Sequence, residues 1–142
     1  MTVTLFTLDG TRMETDRVLE ASADWQAGSP AAQFSAVLPG ENWPEELVTV
    51  RWKDDSGFTL FEGYLDTAAQ VLDSDGPRLE VTARSAGCYL LDNEALPQSY
   101  DSVTLDSFCQ RYLDSYGIFR RGFSYRGRIP YTVPKGQSEW EA

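Results

Sequence analysis

Apolar and polar residues alternate along much of the first half of the chain, which is the period of a half-buried β-strand. Six stretches are predicted strands, most of them closed by turn residues: TVTLFTL, DRVLEASADW, AAQFSAVLPG, LVTVRWK, FTLFEGYLDTAAQVL and RLEVTAR. Strands that follow one another through tight turns, without a long helix between them, are typical of an antiparallel barrel or sandwich. The pattern therefore predicts a mainly β, antiparallel barrel-like domain over residues 1–84.

The apolar parity of each strand predicts which side chains face the core. The expected core residues are Ala32, Phe34, Ala36, Leu38, Val48, Val50, Trp52, Leu79, Val81 and Ala83. The fifth stretch is long for one strand, and its apolar residues of one parity are Phe61, Leu65, Ala69 and Val71, with Gly63 among them. A glycine inside a strand indicates a bulge or a sharp bend, so we expect the sheet to turn at Gly63.

The pattern changes after Arg84. The stretch SAGCYLLDNEA is predicted to form a short helix capped by Ser85. Residues 104–116 are the most clearly predicted helix, because apolar residues recur there at steps of three and four: Leu105, Phe108, Cys109, Tyr112, Leu113 and Tyr116. Asp106 suits the first turn of this helix and Gly117 its end. Two short strands, GFSYRG and RIPYTV, are predicted to follow, which makes the chain α+β overall.

The last residues carry the signature of a helix start. Ser138 and Glu141 have the spacing of a capping box, in which each side chain bonds the backbone N–H of the other residue. Only one residue follows Glu141. We therefore expect residues 85–142 to be the start of a second α+β domain that is truncated here.

The composition argues against several kinds of chemistry. The 142 residues include no histidine, which removes the commonest general base and the commonest metal ligand. Cys88 and Cys109 are expected to be free thiols, because no export signal is recognisable in the sequence. The run DSDG at 73–76 matches the start of a calcium loop, but the further ligands of such a loop are missing. We therefore predict no enzymatic activity, no cofactor and no metal.

The tryptophans offer an alternative function. Trp25 and Trp43 lie in loop-like contexts, where an indole ring can stack on a sugar, whereas Trp52 alternates with predicted core residues. A carbohydrate-binding module of a tail or cell-wall-associated protein is therefore the alternative hypothesis to the structural role considered below.

The charge is unevenly distributed. The net charge is −10, which argues against bulk nucleic-acid binding, and no apolar run approaches the roughly 20 residues of a membrane helix. Residues 117–138 nevertheless contain five basic residues and no acid, interleaved with aromatic residues. A basic patch on an acidic protein suits contact with another copy or an acidic neighbour. The candidate interface residues are Arg120, Arg121, Arg126, Arg128, Phe123 and Tyr125.

An ordered series of short motifs resembles the baseplate hub proteins of long-tailed phages, the late-control-D-like family. The motifs are GYLD at 63–66, RS at 84–85, LLD at 90–92, TL at 104–105, GI at 117–118 and VPKGQSEWE at 133–141. They span roughly residues 47–142, and their order is their most specific feature.

The resemblance implies a structural protein without catalytic residues. Members of this family form a ring, usually a trimer, which continues the tail tube above and seats the spike below. The implied partners are further copies of the chain and the tube and spike proteins. The implied location is the baseplate of the virion tail, assembled in the cytoplasm of the bacterial host.

Overall fold

The computed structural model describes residues 1–118 and 127–141. These residues contain nine β-strands and two short α-helices. The chain divides into two compact units, Met1–Ser85 and Ala86–Ala142. The strands of the first unit are β1 Thr2–Thr7, β2 Arg12–Thr15, β3 Glu20–Asp24, β4 Gln33–Pro39, β5 Leu47–Lys53, β6 Thr59–Asp73 and β7 Gly76–Arg84.

These seven strands form one antiparallel sheet in the order β2-β1-β5-β6-β7-β4-β3. Together with the short helices, the sheet confirms the predicted mainly β fold. The sheet is not closed into a barrel, however. Within the described residues β2 pairs only with β1 and β3 only with β4, so both strands are edges.

One face of the sheet carries the core of the first unit. Most of the predicted core residues are buried there, Phe61 among them, and Val3 and Leu5 join them. Val48 is an exception, because it is only half-buried and Leu47 takes its place in the core. The pairing of β1 with β5 shifts register between Phe6 and Thr7, and this shift exchanges the two faces at the start of β5.

The corner of β6 differs from the prediction. The register of β6 against β7 shifts between Leu65 and Thr67, so the bulge lies at Asp66 and not at Gly63. Beyond it the parity is reversed, and Ala69 and Val71 turn away from the core side. Gly63 has another role: a Cβ atom there would lie 2.3 Å from the Arg84 carbonyl oxygen, so only glycine allows this close approach.

The second unit combines short helices with a two-stranded sheet. Its elements are α1 Cys88–Asp92, β8 Gln98–Thr104, α2 Leu105–Tyr112, a 3₁₀ turn Asp114–Tyr116 and β9 Arg128–Val133. β9 confirms the predicted strand RIPYTV, and its partner β8 was not predicted. Most of the other predicted strand, GFSYRG, lies outside the described residues. Ser85 does not cap α1, because its hydroxyl accepts a hydrogen bond from the Ala32 N–H.

Helix α2 begins where the sequence indicates but ends at Tyr112, before the predicted end at Tyr116, and the 3₁₀ turn covers the rest of the predicted helix as far as Gly117. The Thr104 hydroxyl accepts a hydrogen bond from the Ser107 N–H, and Gly117 adopts a left-handed conformation with φ of 68°. Aromatic rings hold the helix against the small sheet: Phe108 lies 6.0 Å from Tyr100, 4.6 Å from Tyr112 and 5.6 Å from Tyr131, between ring centroids. Tyr112 is buried and Phe108 half-buried.

The predicted capping box forms at the end of the described chain. The Ser138 N–H donates to the Glu141 carboxylate at 3.0 Å, and the Glu141 N–H donates to the Ser138 hydroxyl at 3.4 Å. The same segment is held to α1 and the residue that follows it, because the Trp140 N–H donates to the Leu90 carbonyl and the Glu139 N–H to the Asn93 carbonyl.

Candidate interaction surfaces

Of the six predicted interface residues, only Arg128 lies in the described part of the chain. It is exposed and begins β9, where its Cα lies opposite that of Thr104. The other five fall in the stretch 119–126, outside the described residues: Arg120, Arg121, Phe123, Tyr125 and Arg126. The predicted patch therefore remains a prediction.

The first unit is strongly acidic. Residues 1–85 hold fifteen acidic and six basic residues, a net charge of −9, against seven acidic and six basic residues in 86–142. Four of the six basic side chains are already engaged by acids of the same sheet: Arg12 with Glu14, Arg51 with Glu62, Arg78 with Asp73 and Glu80, and Arg84 with Asp66. An external partner of this unit therefore meets a mostly negative surface.

The ion pairs lie on the polar face of the sheet. Arg51 donates two hydrogen bonds to Glu62, at 2.9 and 3.0 Å, and its guanidinium lies 5.5 Å from the ring centroid of Phe6. These hydrogen bonds lower the pKa of the Glu62 carboxyl. Arg84 clamps Asp66, the bulge residue of β6, with bonds of 2.9 and 3.1 Å.

A shallow groove of about 360 Å³ crosses this polar face. Ser22 and Ser35, two of its lining residues, share a hydrogen bond of 2.8 Å, and Thr82, a third, bonds Thr67 at 2.7 Å. Asp24, Gln33, Asp66 and Arg84 line the groove as well. Because Arg84 is paired with Asp66, the groove offers no unpaired guanidinium to an anion.

The far half of β6 is a second candidate surface. β5 pairs with β6 only from Thr59 to Tyr64, whereas β7 accompanies β6 as far as Asp73. The segment Thr67–Leu72 therefore has one strand neighbour within the described residues, and Leu72 is 80% exposed. Sequence analysis missed this edge, although its signal is visible as the uncharged run TAAQVL between two aspartates.

The tryptophans divide into core and surface residues. Trp52 is buried as predicted, and Trp43 is half-buried and packs against the same core. Trp25 is 62% exposed just beyond β3. The carbohydrate hypothesis thus retains one exposed indole of the two on which it relied.

Two tyrosines of the second unit have perturbed pKa values. Burial, together with a hydrogen bond to Tyr100, raises the pKa of Tyr112 to about 12. Burial also raises the pKa of Tyr116, and its hydrogen bond to Glu139 acts in the same direction. Both changes favour a neutral phenol, which suits packing and not nucleophilic chemistry.

The described residues show neither a metal-binding cluster nor an exposed thiol. Residues 1–118 and 127–141 contain no group of three or more Cys, Asp or Glu side chains arranged to hold a metal ion. Cys88 and Cys109 are both buried. Over the same residues, neither helix has the length and hydropathy to cross a membrane.

Comparison with known proteins finds likeness in structure only. No protein-family model and no curated protein sequence matches the chain. The tail protein from Neisseria meningitidis MC58 superposes with a TM-score of 0.74 at 14% sequence identity, over 99% of this chain and 42% of that one. The 43 kDa tail protein of prophage MuSo2 from Shewanella oneidensis superposes with a TM-score of 0.68 at 16% identity, over 99% and 46%.

At these identities the likeness shows a shared fold. This chain spans less than half the length of either solved protein.

Proposed function

We propose that this protein is a structural component of a phage or prophage tail, and that it forms part of the baseplate hub that joins the tail tube to the spike. The observation that carries the proposal is the fold, which two tail proteins share over 99% of the chain. The ordered motifs between residues 47 and 142 support the finer assignment to the hub. Residues 1–84 would act as the tube domain and 85–142 as the start of a second domain.

The proposed assembly is a ring of identical subunits, three in the complete hub. A ring requires a heterologous contact, in which one surface meets a different surface of the next copy. The charge distribution supplies a complementary pair, since residues 117–138 carry five basic residues and no acid while residues 1–85 carry −9. Arginine forks suit such a contact because they pair with carboxylates in two parallel hydrogen bonds.

The role is mechanical and not catalytic. Several polar groups of the first unit are engaged with one another in ion pairs and hydroxyl pairs across neighbouring strands, and such cross-strand pairs suit a rigid surface. The proposed partners are the tube and spike proteins of the same tail. Its place is the virion baseplate, assembled in the host cytoplasm.

The test is the position and copy number of the protein in purified tails. We expect quantitative mass spectrometry to find about three copies per tail, in line with the three-subunit ring. Gold-labelled antibody should mark the tail end away from the head. Absence from purified tails would contradict a tail role, and labelling along the whole tail would contradict the hub assignment.

A further inference from the structure

The far half of β6 has a row of backbone hydrogen-bonding groups that no strand of the described chain covers. We propose that β2 of a second copy of this chain pairs with β6 between Thr67 and Leu72, so that the sheet continues from one copy into the next. This inference rests on the ring proposed above and names one of its contacts.

The composition of the edge is the first argument. Thr67–Leu72 contains no charge, no proline and no glycine, in a chain with 22 acidic residues. Natural proteins protect exposed strand edges with such residues, because an unprotected edge recruits other strands. The acids at its ends do not repel a neighbour, since Asp66 is paired with Arg84 and Asp73 with Arg78.

The exposure of the side chains is the second argument. Ala68 and Leu72 pair with Val81 and Pro77 of β7, on the side of the sheet that faces the core. Both are exposed, although Gln70 between them on the same side donates a hydrogen bond of 2.8 Å to the Trp43 carbonyl of the β4–β5 loop. Apolar side chains that face the core side and remain in water gain from a neighbouring strand with apolar residues on that side.

β2 fits this position better than β3, the other edge of the sheet. Met13 and Thr15 of β2 lie opposite Leu5 and Val3, which places them on the core side. When the sheet continues into the next copy, Met13 therefore comes to the side that carries Leu72. β3, in contrast, begins and ends with acids in an already acidic unit, which disfavours its approach.

The electrostatics of β2 suit the contact as well. Its outer side chains, Arg12 and Glu14, are paired with each other, so no unpaired charge is brought to the edge. The contact joins two different surfaces, as a closed ring requires. β2 has only four residues, so we expect this pairing to act together with other contacts and not alone.

The test compares two Ala→Lys substitutions in the 142-residue chain. Ala68→Lys places a charge on the proposed edge, whereas Ala27→Lys adds the same charge at an exposed position in the loop between β3 and β4. Hydrogen exchange of the segment 65–73 is followed while the protein concentration is raised. In the wild type and in Ala27→Lys we expect exchange to slow by about tenfold on assembly, because the added strand occupies the amides. In Ala68→Lys exchange should stay fast.

A disulfide experiment tests which strand is the neighbour. Ala69 and Glu14 both lie on the outer side of the sheet, and the two native cysteines are buried. The double variant Ala69→Cys/Glu14→Cys should form disulfide-linked oligomers under mild oxidation, and neither single variant should. Linkage of Ala69→Cys alone would show that β6 pairs with β6 of the other copy and would overturn the assignment to β2.

The outcomes separate this contact from the proposed function. An oligomer that forms while 65–73 exchanges as fast as in dilute protein would overturn the β6 contact and leave the ring intact. A chain that stays monomeric with fast exchange up to millimolar concentration would also overturn it. Absence of the protein from purified tails would contradict the tail role without affecting the exchange result.

Discussion

Gly63→Ala is the substitution whose effect follows most directly from the structure. A Cβ atom at this position would lie 2.3 Å from the carbonyl oxygen of Arg84, 2.8 Å from its carbonyl carbon and 2.8 Å from Cζ of Phe61. The Phe61 ring can turn slightly, but the Arg84 carbonyl belongs to a backbone held between two strands. Arg84 is paired with Tyr64 of β6 and with Gln33 of β4.

The loss of folding stability depends on how far the added Cβ atom overlaps the neighbouring atoms. Forcing one extra carbon into a packed core costs about 1–3 kcal/mol, and a clash with fixed backbone belongs at the upper end of that range. Gly63 does not have a positive φ, so alanine adds no backbone strain and recovers about 0.5 kcal/mol of chain entropy. We expect a net loss of about 2–3 kcal/mol, which lowers the Tm of a unit of this size by roughly 10 °C or more.

The assay is chemical and thermal unfolding followed by circular dichroism, with Gly57→Ala as the matched control. Gly57 lies in the β5–β6 turn with φ of 86° and nothing within 4 Å of an added Cβ, so alanine there meets only the strain of the left-handed region, about 1–2 kcal/mol. If Gly63→Ala unfolds at the same denaturant concentration as Gly57→Ala or above it, the close approach to Arg84 is not a real constraint.

Three further predictions concern the second unit. Phe108→Ala removes a half-buried ring that packs among three tyrosines, and we expect the free energy of unfolding, measured with urea, to fall by about 3 kcal/mol. The control Phe58→Ala, at an exposed turn position, should change stability little. Thr104→Ala removes the N-cap of α2 and should cost about 1 kcal/mol, with Thr104→Ser largely restoring it. The raised pKa of Tyr112 means that the unfolded chain loses this proton first as pH rises, so stability should fall between about pH 10 and 12. Tyr112→Phe should weaken that fall, as measured by urea unfolding at several pH values, and an unchanged fall would show that other groups cause it.

Local periodicity predicted much of the first unit, because the strands bury one face. Phe34, Leu38 and Val81 are buried as their parity indicates. The errors occur where the register changes. Val48 and Ala69 were assigned to the core by counting residues, and a shift in pairing reverses the count in both strands. No single-strand pattern contains that information, since a bulge exists only between two strands.

The second unit shows a different limit. The N-cap of α2 at Thr104 and the chain reversal at Gly117 were predicted, since both residues act within a few residues of chain, although α2 itself ends earlier and a 3₁₀ turn leads to Gly117. Strand β8 was missed, because QSYDSVT has polar residues at most positions and becomes a strand only by pairing with β9, about 30 residues later. Tertiary pairing of this kind leaves little trace in local composition.

The candidate surfaces illustrate the same division. The composition of the sequence indicated that the stretch 117–138 around Arg128 is basic. Composition alone does not indicate how these side chains are arranged in space. The uncovered edge of β6 depends on β5 ending its pairing at Tyr64, which is a matter of relative strand length. The tryptophans were only partly predicted: Trp52 is core as expected, but Trp43 packs inward from a loop that looked exposed.

The bulge at Asp66 also affects how this chain can be compared with others. It adds one residue to β6, so the hydrophobic pattern before Asp66 and the pattern after it are out of phase by one position. A homologous strand without the extra residue would align with either half but not with both, unless a one-residue gap is opened inside the strand. The backbone tolerates such a change more easily than the sequence pattern does, because an extra residue bends one strand and leaves the strand order intact. A fold shared at 14–16% identity leaves room for differences of this kind.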